Sequence, residues 1–266
     1  MEENKEKQKK KKQPKKKEIT VKANKKGRHI MHFMNFLRII ILPVYRILKP
    51  CRFYGEKKVK DGACVYVSNH RVMFDIAYPA MTTWEGLHSI PKKSLTEVPI
   101  VRGLIKIFKA IPVNRDGNDV RALLDCFKCL KNGEKVVVFP EGKRNKTDEI
   151  FLPFKGGAAV MAIRTKSPIV PIVVYTKPRF FRCTHILIDK PFELSEYYDR
   201  KLTEDEIAEA DEKLRQHMLQ MYHTHTEYLQ AKKDKKNKKK GKKYLLKGTT
   251  EHLSAVFVYL RGCSSV

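Results

Sequence analysis

The sequence predicts an α/β domain. From about residue 60 onward, short apolar runs alternate with amphipathic segments. Several of those runs end in polar turns that carry Gly, Pro and ionisable residues, as strands of an α/β sheet do where they meet a ligand. The chain has 266 residues, 42% of them hydrophobic, enough to bury the core of one substantial domain with appendages. Strands are expected at Ala63–Val67, Ala110–Val113, Lys135–Phe139, Ile169–Tyr175 and His185–Ile188, and helices over 75–84, 98–108, 117–131, 156–165 and 203–230. Asn132-Gly133 stops the third helix. Thr203 and Glu206 form a capping box for the last, which puts Ile207, Ala210, Leu214, Met218 and Met221 on one face. A short apolar run, Ala255 to Leu260, follows a lysine-rich stretch and has no assigned role.

Charge divides the chain. The formal net charge is +27. Residues 1–28 hold 12 Lys and one Arg against four Glu, and residues 232–247 hold ten Lys against one Asp, so each stretch carries +9 and the remaining 222 residues carry +9. The basicity therefore belongs mainly to two arms too polar to fold alone. Such arms serve solubility or attract polyanions, at about 1 kcal/mol per basic residue for an anionic membrane. They hold no aromatic residue to stack on bases until Tyr244, which argues against specific nucleic-acid binding. The resulting division is a basic arm (1–28), a membrane-interface helical segment (29–50), a catalytic domain (51–231) and a lysine-rich tail (232–266).

The segment from His32 to Leu48 is apolar but interrupted by Arg38, Pro43 and Arg46, too short and too charged for a spanning helix of about 20 apolar residues. With basic flanks it suits a helix lying in the membrane interface, the alternative being a helix packed on the protein's own core. No secretory cleavage site follows the basic lead-in. The six cysteines, at 51, 64, 126, 129, 183 and 263, read as reduced thiols of a cytoplasmic protein. Cys126-Phe127-Lys128-Cys129 has the spacing of a zinc half-site but lies in a helical pattern with no second pair at finger spacing, so no metal is assigned.

The turns carry the chemistry. Ala63 to Val67 leads into Ser68-Asn69-His70, with Asp75 five positions on. Five residues leave two side chains roughly 140° apart on a helix and on opposite faces of a strand, so His70 and Asp75 meet only if the backbone turns between them. A carboxylate that fixes the tautomer of an imidazole with ordinary pKa near 6.5 makes a general base at neutral pH, able to activate an enzyme serine or a substrate hydroxyl. Arg115 and Arg144 end two further runs, where a planar guanidinium suits a phosphate. Glu141, between Pro140 and Gly142, accepts from a substrate hydroxyl or holds its turn. The backbone N–H groups of Lys155-Gly156-Gly157 either face an anion or sit where the glycines only permit close packing.

In order along the chain, Asn69-His70-x4-Asp75, Ile111-Pro112-Val113-Asn114-Arg115, Phe139-Pro140-Glu141-Gly142-Lys143-Arg144 and Val170-Pro171-Ile172 resemble the four blocks of the 1-acylglycerol-3-phosphate acyltransferase family, over roughly residues 30 to 230. The resemblance implies the glycerolipid acyltransferase fold, a mixed, mainly parallel sheet flanked by helices with an N-terminal membrane-binding helical element. It implies His70 and Asp75 as the catalytic pair, and Arg115, Glu141, Gly142 and Arg144 as residues that bind the glycerol phosphate. It also implies lysophosphatidic acid as acceptor and acyl-CoA or acyl carrier protein as cosubstrate, with no further cofactor, at the cytoplasmic face of an anionic membrane as a peripheral or monotopic protein. Val72, Lys109, Lys143 and Asn145 depart from the family pattern, where serine, glycine, threonine and serine are common. The alternatives are a sister acyltransferase acting on glycerol 3-phosphate or another lysolipid, and a non-catalytic polybasic membrane or nucleic-acid adaptor.

Overall fold

The structure, a computed structural model, describes residue 36 and residues 39–56, 62–114 and 119–262. Its centre forms where the sequence offers no polar face. β1 (Cys51–Gly55), β2 (Cys64–Ser68), β3 (Leu87–Ser89), β4 (Lys135–Val138), β5 (Ile169–Val174) and β6 (Thr184–Ile188) make one sheet in the order β1-β6-β5-β2-β4-β3. β2, β4 and β5 are buried along their whole lengths, as parallel strands covered on both faces must be. Adjacent strands run parallel except β5 and β6. The carboxyl ends of β2, β3, β4 and β5 therefore share one edge, and β6 and β1 run back the other way. This is the mixed, mainly parallel α/β sheet that was expected.

Period-two alternation sends Val65 and Val67 of β2, with Val136 and Val138 of β4, under α4 (Val120–Lys131), α5 (Gly157–Thr165) and α6 (Glu204–Gly262), where they meet Cys126, Leu130, Met161, Leu214 and Met218. Cys64, Tyr66, Val137, Val170 and Ile172 face the other way, toward Tyr45 of α1 (39–48) and Tyr78 of α2 (Ala77–Ala80). Fully burying one such aliphatic side chain is worth about 1.5–3 kcal/mol, so packing of the two faces holds the layers more than the propensity of these short helices. Lys135 is wholly buried in β4, and is tolerated because its ammonium is paired with Glu85 and donates to the Gly62 carbonyl at 2.9 Å.

Three expectations need correction. Ala110–Val113 is not a strand of the sheet: Ile111 N–H donates to Ser89 O at 2.8 Å and Val113 N–H to Pro91 O at 2.9 Å, but Pro112 has no N–H, and the segment forms only an isolated bridge with Lys92. β1 and β3 were not anticipated. β1 has one buried residue in five, and β3 has only three residues. The last helix does not stop near 230 but runs for 59 residues, about 89 Å at 1.5 Å per residue, and passes through residue 231 without a break. Its start is as expected: Thr203 N–H donates to Glu206 Oε2 at 2.9 Å and Glu206 N–H to Thr203 Oγ1 at 3.2 Å, with Ala210, Leu214, Met218 and Met221 buried. α3 (Pro99–Ile107) covers the expected 98–108 helix.

α1 exposes Ile39, Ile40, Ile41, Val44, Ile47 and Leu48. Among the described residues, no helix is long and apolar enough to cross a membrane. The basic arm of residues 1–28 lies outside the described residues.

Candidate active site

The site is built at the carboxyl edge, from the exits of β2, β4 and β5. Asn69, the first residue after β2, is buried and uses its amide as a strand residue would use its backbone: Nδ2 donates to Val174 O at 2.9 Å and Oδ1 accepts from Val174 N–H at 2.8 Å. That pair pins the exit of β2 to the end of β5. The chain then turns through 71–76 into α2, and the turn brings His70 and Asp75 together. Asp75 is fully buried; its Oδ2 accepts from Arg71 N–H at 2.6 Å and Val72 N–H at 2.7 Å, and lies 3.2 Å from His70 Nδ1. Two backbone amides thus fix the carboxylate, and the carboxylate orients the ring. A carboxylate only accepts, so Nδ1 carries the hydrogen and Nε2 keeps the lone pair a base requires. The ring stacks on Phe139 at 4.2 Å between centroids and 22° between planes, and its side chain remains 14% exposed.

The turn after β4 holds the backbone of His70 from both sides. Glu141 Oε1 accepts from His70 N–H at 3.1 Å, Oε2 accepts from Leu152 N–H at 3.2 Å, and Asn145 N–H donates to His70 O at 2.7 Å. Glu141 is 1% exposed, and burial pushes its carboxyl above the ordinary glutamate range. Of its two sequence readings, substrate acceptor or holder of its turn, the geometry supports the second. Gly142 sits at φ +67°, and a β-carbon there would stand 2.9 Å from Lys155 Cδ; glycine lets the turn close against that lysine. Arg144 is exposed on the same turn. Arg115 lies outside the described residues, although its neighbours Asn114 and Asp119 are bonded to each other, Asn114 N–H to Asp119 Oδ2, at 2.9 Å.

A cleft of about 840 Å³ opens beside these turns. Gly142, Phe139 and Lys155 line it together with an apolar set that includes Ile90, Val113, Leu123, Val138, Val160 and Met161. The anion expected at Lys155-Gly156-Gly157 comes from the chain itself: Asp211 of α6 accepts from Gly156 N–H at the start of α5. Burial pushes the Asp211 carboxyl up to about 6. That helix end is consequently occupied and is not a phosphate cradle.

Four residues that shape the site carry no role in the reading from sequence: Asn69, Arg71, Phe139 and Asn145. The Arg71 guanidinium donates to the carbonyls of Thr147, Glu149 and Ile150 at 3.1, 2.9 and 3.3 Å, and Asn145 Nδ2 donates to Glu149 O at 2.9 Å, so together they brace the loop after β4. Asn69 and Phe139 stood inside quoted blocks, but nothing in a linear sequence shows that an amide bridges to residue 174 or that a ring lies under a histidine. Among the described residues, no serine or cysteine side chain bonds the imidazole.

A buried carboxylate thus orients an imidazole at the strand ends of an α/β sheet. Residues 50–175 match the acyltransferase family model. The chain is similar to a chloroplastic 1-acyl-sn-glycerol-3-phosphate acyltransferase of Brassica napus, 36% identical over 43% of this chain and 33% of the relative. It is also similar to the 1-acyl-sn-glycerol-3-phosphate acyltransferase of Saccharomyces cerevisiae, 31% identical over 62% of this chain and 57% of that one. The chain thus spans between a third and somewhat over half of the length of these relatives. Its fold is like that of the 1-acyl-sn-glycerophosphate acyltransferase PlsC of Thermotoga maritima, with a TM-score of 0.52 at 24% identity, covering 70% of this chain and 84% of that one.

Proposed function

We propose that this protein transfers a fatty acyl group from a thioester, acyl-CoA or acyl carrier protein, to the free hydroxyl of lysophosphatidic acid at a membrane surface. The observation that carries the reading is the His70–Asp75 geometry: Nδ1 is committed to a carboxylate already fixed by two backbone amides, which leaves Nε2 for a substrate proton. Relatives named for acylation of 1-acyl-sn-glycerol-3-phosphate supply the substrate class. His70 Nε2 takes the hydroxyl proton as that oxygen attacks the thioester carbonyl. Collapse of the tetrahedral intermediate breaks the carbon–sulfur bond, and the imidazolium returns the proton to the leaving thiolate, giving phosphatidic acid and free thiol. Arg144, with Arg115, binds the phosphate, Gly142 shapes the turn that carries Arg144, and the apolar wall of the cleft takes the acyl chain.

The membrane reading rests on exposed apolar side chains grouped with basic ones. Ile47 of α1 and Phe180 and Phe181 of the β5–β6 loop are 68%, 62% and 74% exposed, and Lys49 Nζ lies 4.9 Å from the centre of the Phe180 ring. Phe181 N–H donates to Leu48 O at 2.9 Å, which ties the loop to α1. Such a surface enters the headgroup region of an anionic bilayer.

Thiol release from acyl-CoA and from acyl carrier protein, with and without lysophosphatidic acid, tests the activity. His70→Ala should lower acceptor-dependent release by about 100- to 10,000-fold with thermal unfolding unchanged, and near-normal turnover in that variant would sink the mechanism. The exposed pair Lys143 and Arg144 at the turn favours one second reading, a sister activity on another anionic acceptor, and a panel that includes glycerol 3-phosphate and other lysolipids separates the two.

A further inference from the structure

Away from the proposed acyl-transfer site, His88 meets Cys129 and Glu134 from the end of α4 and the turn that follows it. His88, in the middle of β3, is 4% exposed, and its Nδ1 lies 2.8 Å from Lys109 O. A carbonyl only accepts, so Nδ1 carries a hydrogen and donates it. The other ring nitrogen, Nε2, stands 3.1 Å from Glu134 Oε2 yet makes no hydrogen bond among the described residues, because the carboxylate lies off the ring N–H direction. Cys129 of α4 completes the group: its sulfur, His88 nitrogen and a Glu134 oxygen all lie within 4.8 Å of one another. Glu134 N–H donates to Cys129 O at 3.0 Å, so the turn that ends α4 fixes two of the three donors relative to each other.

We infer that His88, Cys129 and Glu134 bind a divalent transition-metal ion of the zinc class, with His88 ligating through Nε2 and water in a fourth position. Three alternatives fit less well. A cysteine–histidine–glutamate relay needs the thiol and the carboxylate on opposite ring nitrogens, whereas Nδ1 is committed to the Lys109 carbonyl. A simple imidazolium–carboxylate pair accounts for His88 and Glu134, whose Nε2 and Oε2 stand 3.1 Å apart, but leaves the thiol without a function. A core histidine would be satisfied at both nitrogens. The hydrogen bond from Nδ1 to a backbone carbonyl is the arrangement that fixes tautomer and ring orientation in metal-bound histidines. Imidazole, thiolate and carboxylate together are a zinc donor set, and a tetrahedral ion with bonds of about 2.0–2.3 Å separates its ligands by about 3.3–3.7 Å, within reach of a spread of up to 4.8 Å by small side-chain rotations. Lys109, which supplies the carbonyl, is held at φ +46°, a conformation disfavoured by about 1–2 kcal/mol for a residue with a β-carbon. The spacing Cys126-x-x-Cys129 had suggested a half-site; the fold separates the two thiols, burying Cys126 in the core and presenting Cys129 to His88.

The role is structural. Glu134 precedes β4 and His88 pairs with Val136, so the cluster lies toward the amino ends of the strands, away from His70. It ties β3, the end of α4 and the Lys109 turn together, directly before the segment Ala110–Asn114 that runs to the cleft. The test uses the full chain, stripped with chelator and titrated with cobalt(II) and, separately, zinc. One equivalent of cobalt should give tetrahedral d–d bands and a thiolate-to-cobalt charge-transfer band, and one of zinc should raise the unfolding temperature. Cys129→Ser should abolish the charge-transfer band, and His88→Gln should weaken cobalt binding at least tenfold. Cys183→Ser, an exposed thiol outside the cluster, should change neither. Absence of the charge-transfer band in the parent chain, its persistence in Cys129→Ser, its loss in Cys183→Ser, or no zinc-dependent rise in unfolding temperature would each overturn the inference.

Discussion

At the residue scale, the site is held more by backbone amides than by side-chain pairs. Asp75 receives two amides before it receives the imidazole, and Glu141 spends both oxygens on amides of His70 and Leu152. The sequence showed that a turn had to exist for His70 and Asp75 to meet, because their spacing fits neither a helix nor a strand. It could not show what holds the turn, since amide donors are the same at every position. Asp211 gives a pH signature of the same kind. Its carboxyl is raised from the ordinary 3.8 to about 6 by burial, so the native state holds a proton that the unfolded state has released between those values. The stability this contributes is complete below 3.8 and is lost as pH rises through about 6. Unfolding free energy of the parent chain should accordingly fall by on the order of 3 kcal/mol relative to Asp211→Asn between about pH 4 and pH 7. Equal pH profiles in chemical denaturation would refute this account of the buried acid.

At the element scale, legibility followed burial. β2, β4 and β5 are continuous apolar runs buried at every residue, and each was placed to within about one residue at either end. β1 and β3 escaped because an edge strand needs only a few buried positions, and these two show one in five and two in three. The extension of α6 escaped for another reason: lysine favours helix well enough, but a stretch without an apolar stripe gives periodicity nothing to detect. Asn69 is a further link between elements that only the fold reveals. Asn69→Ala would leave the buried N–H and C=O of Val174 without partners, a cost of about 1–3 kcal/mol each. Denaturant titration should register a loss of roughly 2–5 kcal/mol, and a change below about 1 kcal/mol would mean that β2 and β5 do not depend on this bridge.

At the scale of the whole molecule, the single reversal between β5 and β6 decides where the apolar surfaces emerge. Because β5 ends at the carboxyl edge beside His70, the β5–β6 loop with Phe180 and Phe181 must lie there. Because β1 runs with β6, it begins at that same edge, and α1 is delivered beside it. The exposed Met73 and Phe74 of the turn between His70 and Asp75 are near neighbours, with Phe74 O accepting from Tyr45 Oη of α1 at 3.5 Å. Phe180→Asp together with Phe181→Asp should weaken binding to anionic vesicles about tenfold or more in sedimentation assays while leaving the unfolding temperature unaltered, since both rings are already in solvent. Undiminished vesicle binding would remove this loop from the membrane contact.

The same reversal has a kinetic consequence. With His70 and the apolar loops on one edge, the proposed reaction would not require a lysolipid to leave its leaflet, and the acceptor would reach the imidazole by lateral diffusion in two dimensions. Turnover should then follow the mole fraction of acceptor in the bilayer rather than its total concentration in the tube. Diluting vesicles with an inert lipid at constant total acceptor should slow the reaction, whereas a rate indifferent to that dilution would show that the acceptor is taken up from bulk water.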